Sequence, residues 1–176
     1  MISKKLLAMQ RLTTHLEAIA FTSTFAGTGD VNLAGKVYRG RTVFGDEVQP
    51  PFLAILEQPR QLLPETAGDG KLARKDQWQL LIQGFAVDYK LNPTDPAYEL
   101  LAHVEMRLAR IVAQKTNGGG AAYPAEFRLG NIVESTRFQN PIVRPPDNDV
   151  SDTAYFYMPV TFEIVTDMIS PFIEET

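Results

Sequence analysis

The sequence predicts a single α+β domain in which a mainly antiparallel β-sheet is packed by two principal helices and connected by two long loops. Two segments repeat their apolar residues at helical spacing, and a segment near the end of the chain alternates between apolar and polar residues. No internal repeat or second hydrophobic unit divides the 176 residues, so we expect one domain over residues 1–176. A domain of this size buries roughly 70% of the surface that its unfolded chain exposes.

The first predicted helix covers residues 3–20, with Ser3 as its N-cap. Its apolar face is formed by Ala8, Met9, Leu12, Leu16 and Ile19. Leu6 and Leu7 lie off this face, which makes them candidates for contact with a partner.

The second predicted helix is the clearest element of the sequence. Asp95 is a favourable N-cap, and Pro96 suits the first helical position. Asn117, followed by Gly118, marks the predicted end. The apolar face is formed by Ala97, Leu101, Val104, Leu108 and Ile111.

Two strands are predicted between the first helix and the first long loop. In residues 37–44, Arg39 and Arg41 fall on the same face as the valines, where a core strand would not carry charge. Residues 52–57 form a short apolar run that suits a central strand.

Three more strands are predicted further along the chain. Residues 77–89 alternate and then change phase near Gly84, which predicts a bulge there. Residues 129–138 give a weaker strand signal, and residues 155–166 have the alternation of a half-buried antiparallel strand. Pro159 cannot donate to a ladder, so an edge or a bulge is expected at that position.

The two long loops are predicted at residues 59–76 and 139–152, which are polar and lack periodicity. The first loop carries Lys71, Arg74 and Lys75. Long loops in compact domains are usually functional, so these basic residues are candidates for contact with a partner.

The composition excludes several classes of function. The chain has no cysteine, which excludes disulfides, thiolate catalysis, Cys-based zinc sites and iron–sulfur clusters, and suggests assembly in a reducing cytoplasm. A formal net charge of −4 gives no long-range attraction for nucleic acid or anionic lipid. No segment approaches the roughly 20 apolar residues of a membrane span, so we expect a soluble protein without a membrane partner.

No motif predicts a catalytic, cofactor-binding or metal-binding residue. The phosphate-loop pattern fails around Gly35 and Lys36, because both its first glycine and its final Ser or Thr are missing. The calcium-loop pattern fails in residues 147–152, which lack the turn glycine, and the bidentate glutamate is also missing. His15 and His103 flank helical stripes, where a lone histidine is usually structural. We therefore expect that the protein is not an enzyme and uses no cofactor.

Several local phrases occur in a specific order: VYRGR, PPFLAILEQPRQ, QWQLLIQGFAVDYKLNPTDPAYELLAHVEMRLARIV and a terminal alternating strand. In this order, over nearly the whole chain, the sequence resembles the tail terminator, or tail completion, proteins of tailed bacteriophages. The resemblance implies a structural virion protein that forms a hexameric ring on the head-proximal end of the tail tube. Such a ring stops tube polymerisation and offers the docking surface for the neck.

The resemblance also implies the partners and the location. The partners would be further copies of this chain, the tail tube protein and the neck or head completion protein, in the neck region of the virion tail after assembly in the host cytoplasm. DNA would pass through the lumen without specific binding.

A ring needs two different, complementary patches on each subunit. Besides strand edges, the candidate interface residues are Leu6, Leu7, Tyr38, Arg39, Arg41, Lys71, Arg74 and Lys75. Two other functions stay open: a neck connector or tail tube subunit, and an unrelated module that binds a ligand or nucleic acid. A stacked tube would indicate the first, and a defined pocket or salt-dependent DNA binding the second.

Overall fold

A six-stranded sheet with the principal helices on one face forms the centre of the protein. The computed structural model describes residues 1–25, 27–58 and 68–174. Within these ranges the elements in chain order are β1 (Ile2–Ser3), α1 (Lys4–Glu17), β2 (Ala20–Thr22), β3 (Asp30–Asn32), β4 (Val37–Arg39), β5 (Phe52–Glu57), β6 (Ala73–Phe85), α2 (Asp95–Val112), α3 (Arg128–Asn131), β7 (Ser135–Phe138), β8 (Ile142–Arg144), β9 (Tyr155–Asp167) and β10 (Phe172–Ile173). The predicted α+β class with two principal helices is confirmed.

The strand order in the central sheet is β4-β5-β6-β9-β7, and β8 also pairs with β9. β4 and β5 run parallel, whereas β6 is antiparallel to both of its neighbours and β9 is antiparallel to β7 and β8. The ladder between β6 and β9 includes every residue from Ala73 to Phe85. The sheet is therefore mainly antiparallel, as the sequence predicts.

The core lies between the helices and one face of this sheet. Trp78, Leu80 and Ile82 of β6 alternate toward the helices and are buried. Phe156 and Phe162 of β9 are fully buried beside them. The helices contribute Leu12, Leu16, Val104, Leu108 and Ile111 to the same cluster. Burial of each large apolar side chain stabilises the fold by about 1.5–3 kcal/mol, so this layer is the main source of stability.

α1 begins where the sequence predicts it. The Ser3 hydroxyl accepts a hydrogen bond from the Leu6 amide at 3.3 Å, which satisfies one of the free donors of the first turn. None of the described helices is long and apolar enough to cross a membrane.

The ends of α2 differ from the prediction. Thr94 is the N-cap residue, and Asp95 is the first helical residue. The helix ends at Val112 instead of near residue 117, because Ala113 adopts an extended conformation. The amide of Lys115 then donates to the carbonyl oxygen of Gly120 at 2.8 Å, which closes a separate turn.

β4 is shorter than the predicted strand of residues 37–44. Gly40 has a positive φ of 64°, which turns the chain out of the ladder after Arg39. Arg41 lies outside the sheet, with its guanidinium over the rings of Tyr38 and Phe44. The prediction that Arg39 and Arg41 share one strand face is therefore wrong.

β6 passes Gly84 without the predicted bulge. Gly84 pairs directly with Phe156, and the ladder is continuous on both sides. A Cβ atom at residue 84 would lie 2.2 Å from the Phe156 ring. Glycine is required here because an aromatic ring packs directly against the backbone.

Both predicted loops contain strand residues. β6 begins at Ala73, so Arg74 and Lys75 belong to a strand and not to the first loop, and residues 59–67 of that loop lie outside the described residues. The second predicted loop includes β8, because its residues pair with β9. β8 and the start of β6 are not predicted as strands, because both pair with β9, which is distant in sequence from the start of β6 and is not visible in their local patterns.

Pro159 lies opposite an interruption of the sheet edge. Phe138 pairs with Val160, and Ile142 pairs with Tyr157, so the residues between β7 and β8 leave the ladder opposite Pro159. The Gln139 amide donates to the Pro159 carbonyl oxygen at 3.1 Å beside this break. β9 itself has no bulge at Pro159, which pairs with Leu81, and β9 is not an edge strand. The irregularity lies in the neighbouring strands instead.

A left-handed turn occupies the first part of the strand predicted at residues 129–138, and β7 begins only at Ser135. Positive φ angles of 51°, 54°, 69° and 63° occur at Arg128, Leu129, Gly130 and Asn131. This conformation costs roughly 1–2 kcal/mol per non-glycine residue, so other contacts must stabilise it. Leu129 is buried, and the guanidinium of Arg11 donates to the Leu129 carbonyl oxygen at 3.1 Å.

The packing of Phe156 against Gly84 predicts that Gly84→Ala destabilises the fold. The added methyl group would overlap the ring, and overpacking of this kind costs about 1–3 kcal/mol. Gly119→Ala is the matched control, because its Cβ would make only an ordinary 3.6 Å contact with Lys115 and should change stability by less than about 0.5 kcal/mol. Urea unfolding measures both variants, and equal stability would contradict the packing argument.

Candidate functional site

An arginine-rich cleft with a volume of about 840 Å³ lies between α1, α2 and the segment that leads into the left-handed turn. We call it the basic cleft, and define it by Arg11, Arg39 and Arg107. α1 supplies Arg11, the end of β4 supplies Arg39, and α2 supplies Arg107. The cleft therefore depends on three elements that are far apart in sequence.

A reciprocal pair of hydrogen bonds joins α1 to α2 at the base of the cleft. The His15 Nε2 atom donates to the Arg107 carbonyl oxygen at 2.7 Å, and the Arg107 Nε atom donates to the His15 carbonyl oxygen at 2.8 Å. Since a carbonyl oxygen can only accept, the proton of neutral His15 is on Nε2. The Nδ1 atom then faces the Glu126 carboxylate at 3.5 Å.

Glu126 lies between two arginine side chains. Its carboxylate is 3.4 Å from Arg107 and 3.5 Å from Arg110. Its buried Oε2 atom makes no hydrogen bond to the described residues. The charge of Glu126 is therefore balanced inside the protein, whereas much of the arginine charge of the cleft is not.

Burial lowers the pKa of His15 below its ordinary value of 6.5. The hydrogen bond to the Arg107 carbonyl and the carboxylate of Glu126 oppose this effect, while the positive charges of Arg107 and Arg110 add to it. His15 is therefore neutral at neutral pH, and it does not add to the charge of the cleft.

Two arginines of the basic cleft retain capacity for a ligand. One nitrogen of Arg11 donates to the carbonyl oxygens of Leu129 and Gly130, which are neutral acceptors and leave its charge uncompensated. Arg39 is exposed and has no hydrogen-bonding or ionic partner among the described residues. Glu17 also lines the cleft, so four arginines face two glutamates when Arg110 is included.

A second surface lies where the β6–β9 ladder extends beyond its neighbours. Among the described residues, β5 follows β6 only to Leu80, and β7 follows β9 only to Glu163. Beyond these points the molecule has exposed apolar side chains: Leu6, Leu72, Met168, Ile169 and Phe172. We call this group the apolar end. Such a concentration is typical of a protein–protein contact surface.

The sheet has two free edges. In the described part of the chain, no strand pairs with the outer side of β4 or with the outer sides of β7 and β8. The amide of Leu53 donates to Lys36 and that of Gly40 donates to Ile55, so the backbone groups of Val37 and Arg39 point away from β5. Val37 is buried, so it is the exposed Arg39 whose unused backbone donor and acceptor β4 presents to a neighbour.

The face of the sheet opposite the helices is partly covered by aromatic residues and otherwise polar. Phe52, Phe85 and Tyr155 form a buried cluster at one end of it. Gln77, Gln79 and Gln83 follow along β6, and Lys75 pairs with Glu163 at 2.9 Å. The polar part of this face therefore has little net charge.

The interface residues that the sequence predicts lie on several different parts of the surface. Leu6 joins the apolar end, whereas Leu7 is buried in the lining of the basic cleft. Arg39 lines the basic cleft, while Tyr38 and Arg41 belong to the aromatic cluster, where Arg41 also pairs with Glu47. Lys71, Arg74 and Lys75 lie at the start of β6 or just before it.

Sequence patterns do not predict Arg11, Arg107 or Glu126 as site residues, nor the apolar end beyond Leu6. A pair of arginines on two amphipathic helices is an ordinary surface pattern, so no local signal marks the cleft. The exposed residues that follow β9, Met168 and Ile169, could have been noticed as apolar residues outside any periodic segment.

No group of three His, Cys, Asp or Glu side chains within residues 1–25, 27–58 and 68–174 is arranged to hold a metal ion. No protein-family model matches the chain, and a search of curated proteins finds no match either. The surfaces of the molecule are therefore the basis for inferring its function.

The lowered pKa of His15 predicts a pH dependence of stability. Because the folded state binds this proton less tightly than the unfolded state, the contribution of His15 to the free energy of unfolding is fully present above pH 6.5 and is lost as the pH falls below that value. His15→Gln should reduce this slope between pH 7.5 and 5.5, whereas the control His103→Gln should leave the contribution of His15 intact. Denaturant unfolding at several pH values measures the effect, and an unchanged slope in His15→Gln would contradict it.

Proposed function

We propose that this protein is a structural virion component that forms a ring on the head-proximal end of a phage tail tube. The ring stops tube polymerisation and provides the docking surface for the neck. The observation that carries the proposal is the pair of free edges on one sheet, β4 on one side and β7 with β8 on the other. The sequence resemblance supplies the particle in which such a ring would act.

The strand directions favour head-to-tail association of identical subunits. β4 runs parallel to β5, β6 runs opposite to both, β9 is opposite to β6, and β7 is opposite to β9. β4 therefore runs opposite to β7 and β8. A second copy in the same orientation would pair β4 with these strands in antiparallel fashion, which joins two different patches and can close into a ring.

The apolar end supports a role in docking. Phe172 is more than half exposed and lies opposite Ser3 in the β1–β10 pair, one turn from Leu6. Leu72 and Met168 are joined by a backbone hydrogen bond of 2.9 Å. These side chains lie on a projecting end of the subunit, so every copy in a ring would present the same apolar group on one side of that ring.

The polar face of the sheet suits a surface along which DNA passes without specific binding. Its glutamines offer no fixed charge, and the Lys75–Glu163 pair is neutral as a whole. Tight DNA binding depends mainly on uncompensated Lys and Arg charge, which this face has only near its edges. Passage through the lumen without retention is therefore the expected behaviour.

The edge-pairing argument predicts that Arg39→Pro weakens assembly more than Arg39→Ala. Proline removes the outward N–H of β4 without disturbing its bonds to β5, and one hydrogen bond contributes about 0.5–1.5 kcal/mol. Alanine removes the same side chain but keeps the N–H group, so the difference between the two variants isolates the backbone bond. Sedimentation velocity across a concentration series measures it, and equal assembly of both variants would contradict pairing at β4.

Tube capping is tested with the tail tube protein from the same genome. Addition of this chain to polymerising tube protein should shorten the tubes in proportion to the amount added, with a single ring visible at one end by electron microscopy. Incorporation along the whole tube would favour the tube-subunit function. Tubes of unchanged length with no bound ring would refute the capping proposal.

The apolar end provides the matched variants for that assay. Phe172→Ser and Ile169→Ser should reduce capping while leaving the ring intact, because both side chains are exposed and lie away from the sheet edges. Val43→Ser, which changes an exposed apolar side chain elsewhere, is the control. Full capping by both apolar-end variants would exclude this surface from the contact with the tube or the neck.

A further inference from the structure

We infer that the basic cleft binds a small organic anion that carries a hydroxyl or amino group about one helical turn away from its phosphate or carboxylate group. The inference goes beyond ring formation, because every side chain involved belongs to a single subunit. It depends on two parts of the cleft. One is a pair of arginines without acidic partners, and the other is a pair of hydrogen-bond acceptors that face each other without a donor.

The arginine pair provides the place for the oxyanion. Arg39 is exposed, and its side chain forms no ion pair or hydrogen bond with the described residues. One guanidinium nitrogen of Arg11 donates to the carbonyl oxygens of Leu129 and Gly130 at 3.1 and 3.4 Å, which leaves the charge of Arg11 uncompensated. Guanidinium groups bind carboxylate and phosphate oxygens through parallel hydrogen bonds. An anionic group in the cleft would therefore have two suitable partners.

Gly130 leaves the space that the Arg11 side chain occupies. A Cβ atom at residue 130 would collide with the Arg11 guanidinium, and the φ angle of 69° is one that glycine adopts without strain. The left-handed turn and the arginine therefore fit each other closely. Arg11 is in position before any ligand binds, which lowers the entropy cost of binding.

Two acceptors at the base of the cleft lack a donor. His15 is only 6% exposed, and its Nε2 proton is donated to the Arg107 carbonyl oxygen, so its Nδ1 atom carries a lone pair. This Nδ1 atom faces Oε2 of Glu126 at 3.5 Å, and that buried oxygen accepts no hydrogen bond within the described part of the chain. A buried acceptor without a donor is costly, so a hydroxyl or amino group placed between these atoms would be stabilised.

The spacing between the two parts of the cleft follows from α1. Arg11 and His15 are four residues apart, so they lie on the same face of the helix with roughly 5–6 Å between their Cβ atoms. Ala18 and Ala125 add apolar lining beside them. The volume of about 840 Å³ lies within the range of roughly 300–1,000 Å³ that is typical of small-molecule sites. These dimensions fit a small molecule with an uncharged body between its two polar groups.

Isothermal titration calorimetry with the full-length chain tests whether both parts of the cleft bind a ligand. Inorganic phosphate offers only the oxyanion, glycerol offers only hydroxyl groups, and glycerol 3-phosphate offers both. Glycerol 3-phosphate should bind roughly fivefold or more tightly than inorganic phosphate, because it makes one additional hydrogen bond, and glycerol should not bind. Glycerate, which has a carboxylate in place of the phosphate, shows which of the two oxyanions the arginines prefer.

Arg39→Gln tests the arginine pair. It removes a charge that has no partner in the described part of the chain, so it should weaken the binding of both phosphate probes about tenfold without changing the stability of the fold. Arg137→Gln is the matched control, because Arg137 is also exposed but lies outside the cleft. This control should bind both probes as tightly as the unmodified chain.

Glu126→Gln tests the acceptor pair separately. The new amide can donate an N–H group to Nδ1 of His15, so a donor from the ligand is no longer needed there. Loss of the carboxylate also leaves the cleft more positive. Inorganic phosphate should therefore bind at least as tightly as it does to the unmodified chain, whereas the advantage of glycerol 3-phosphate over inorganic phosphate should be lost.

Three results would overturn the inference. The first is a dissociation constant weaker than about 10 mM for both phosphate probes with the unmodified chain. The second is an equal loss of binding in Arg39→Gln and Arg137→Gln, which would indicate attraction to surface charge in general. The third is a preference for glycerol 3-phosphate that persists in Glu126→Gln, because the acceptor pair would then not be what binds the hydroxyl group.

Discussion

The ladder between β6 and β9 is the constraint on which the rest of the structure depends. It holds two strands of 13 residues in continuous register, and it places Trp78, Leu80 and Ile82 beside Phe156 and Phe162 under both helices. A slip of one residue would turn these side chains to the opposite face and expose them. The same ladder projects past its neighbours, so it also supports the apolar end.

The strands at the edges of the sheet are much shorter than the two central strands. β6 and β9 are paired on both sides over much of their length, whereas β4 has three residues and β7 has four. Short edge strands give little stability by themselves, but they present unpaired backbone groups. Association of copies through these edges is the physical consequence that follows most directly.

Strong periodic patterns explain what the sequence predicts well. The alternation through Phe156 to Ile164, the helical periodicity and the Ser3 cap of α1 are local properties, so α1, α2 and β9 lie close to their predicted positions. β8 and the first residues of β6 are recognisable only through their partner β9, which local propensity does not reveal. The basic cleft is even harder to predict from the sequence, because Arg11, Arg39 and Arg107 meet only through tertiary packing. The left-handed turn beside them is likewise stabilised by a hydrogen bond from Arg11.

Hydrogen exchange resolved at single amides tests the central claim that sheet edges join the subunits. In dilute, unassembled protein, the outward amide of the exposed Arg39 should exchange rapidly, while those of Trp78 and Phe162 stay protected. At concentrations where particles form, the Arg39 amide should become protected, because pairing with a neighbouring strand removes it from water. Assembled particles in which this amide still exchanges as fast as in the dilute protein would contradict the account.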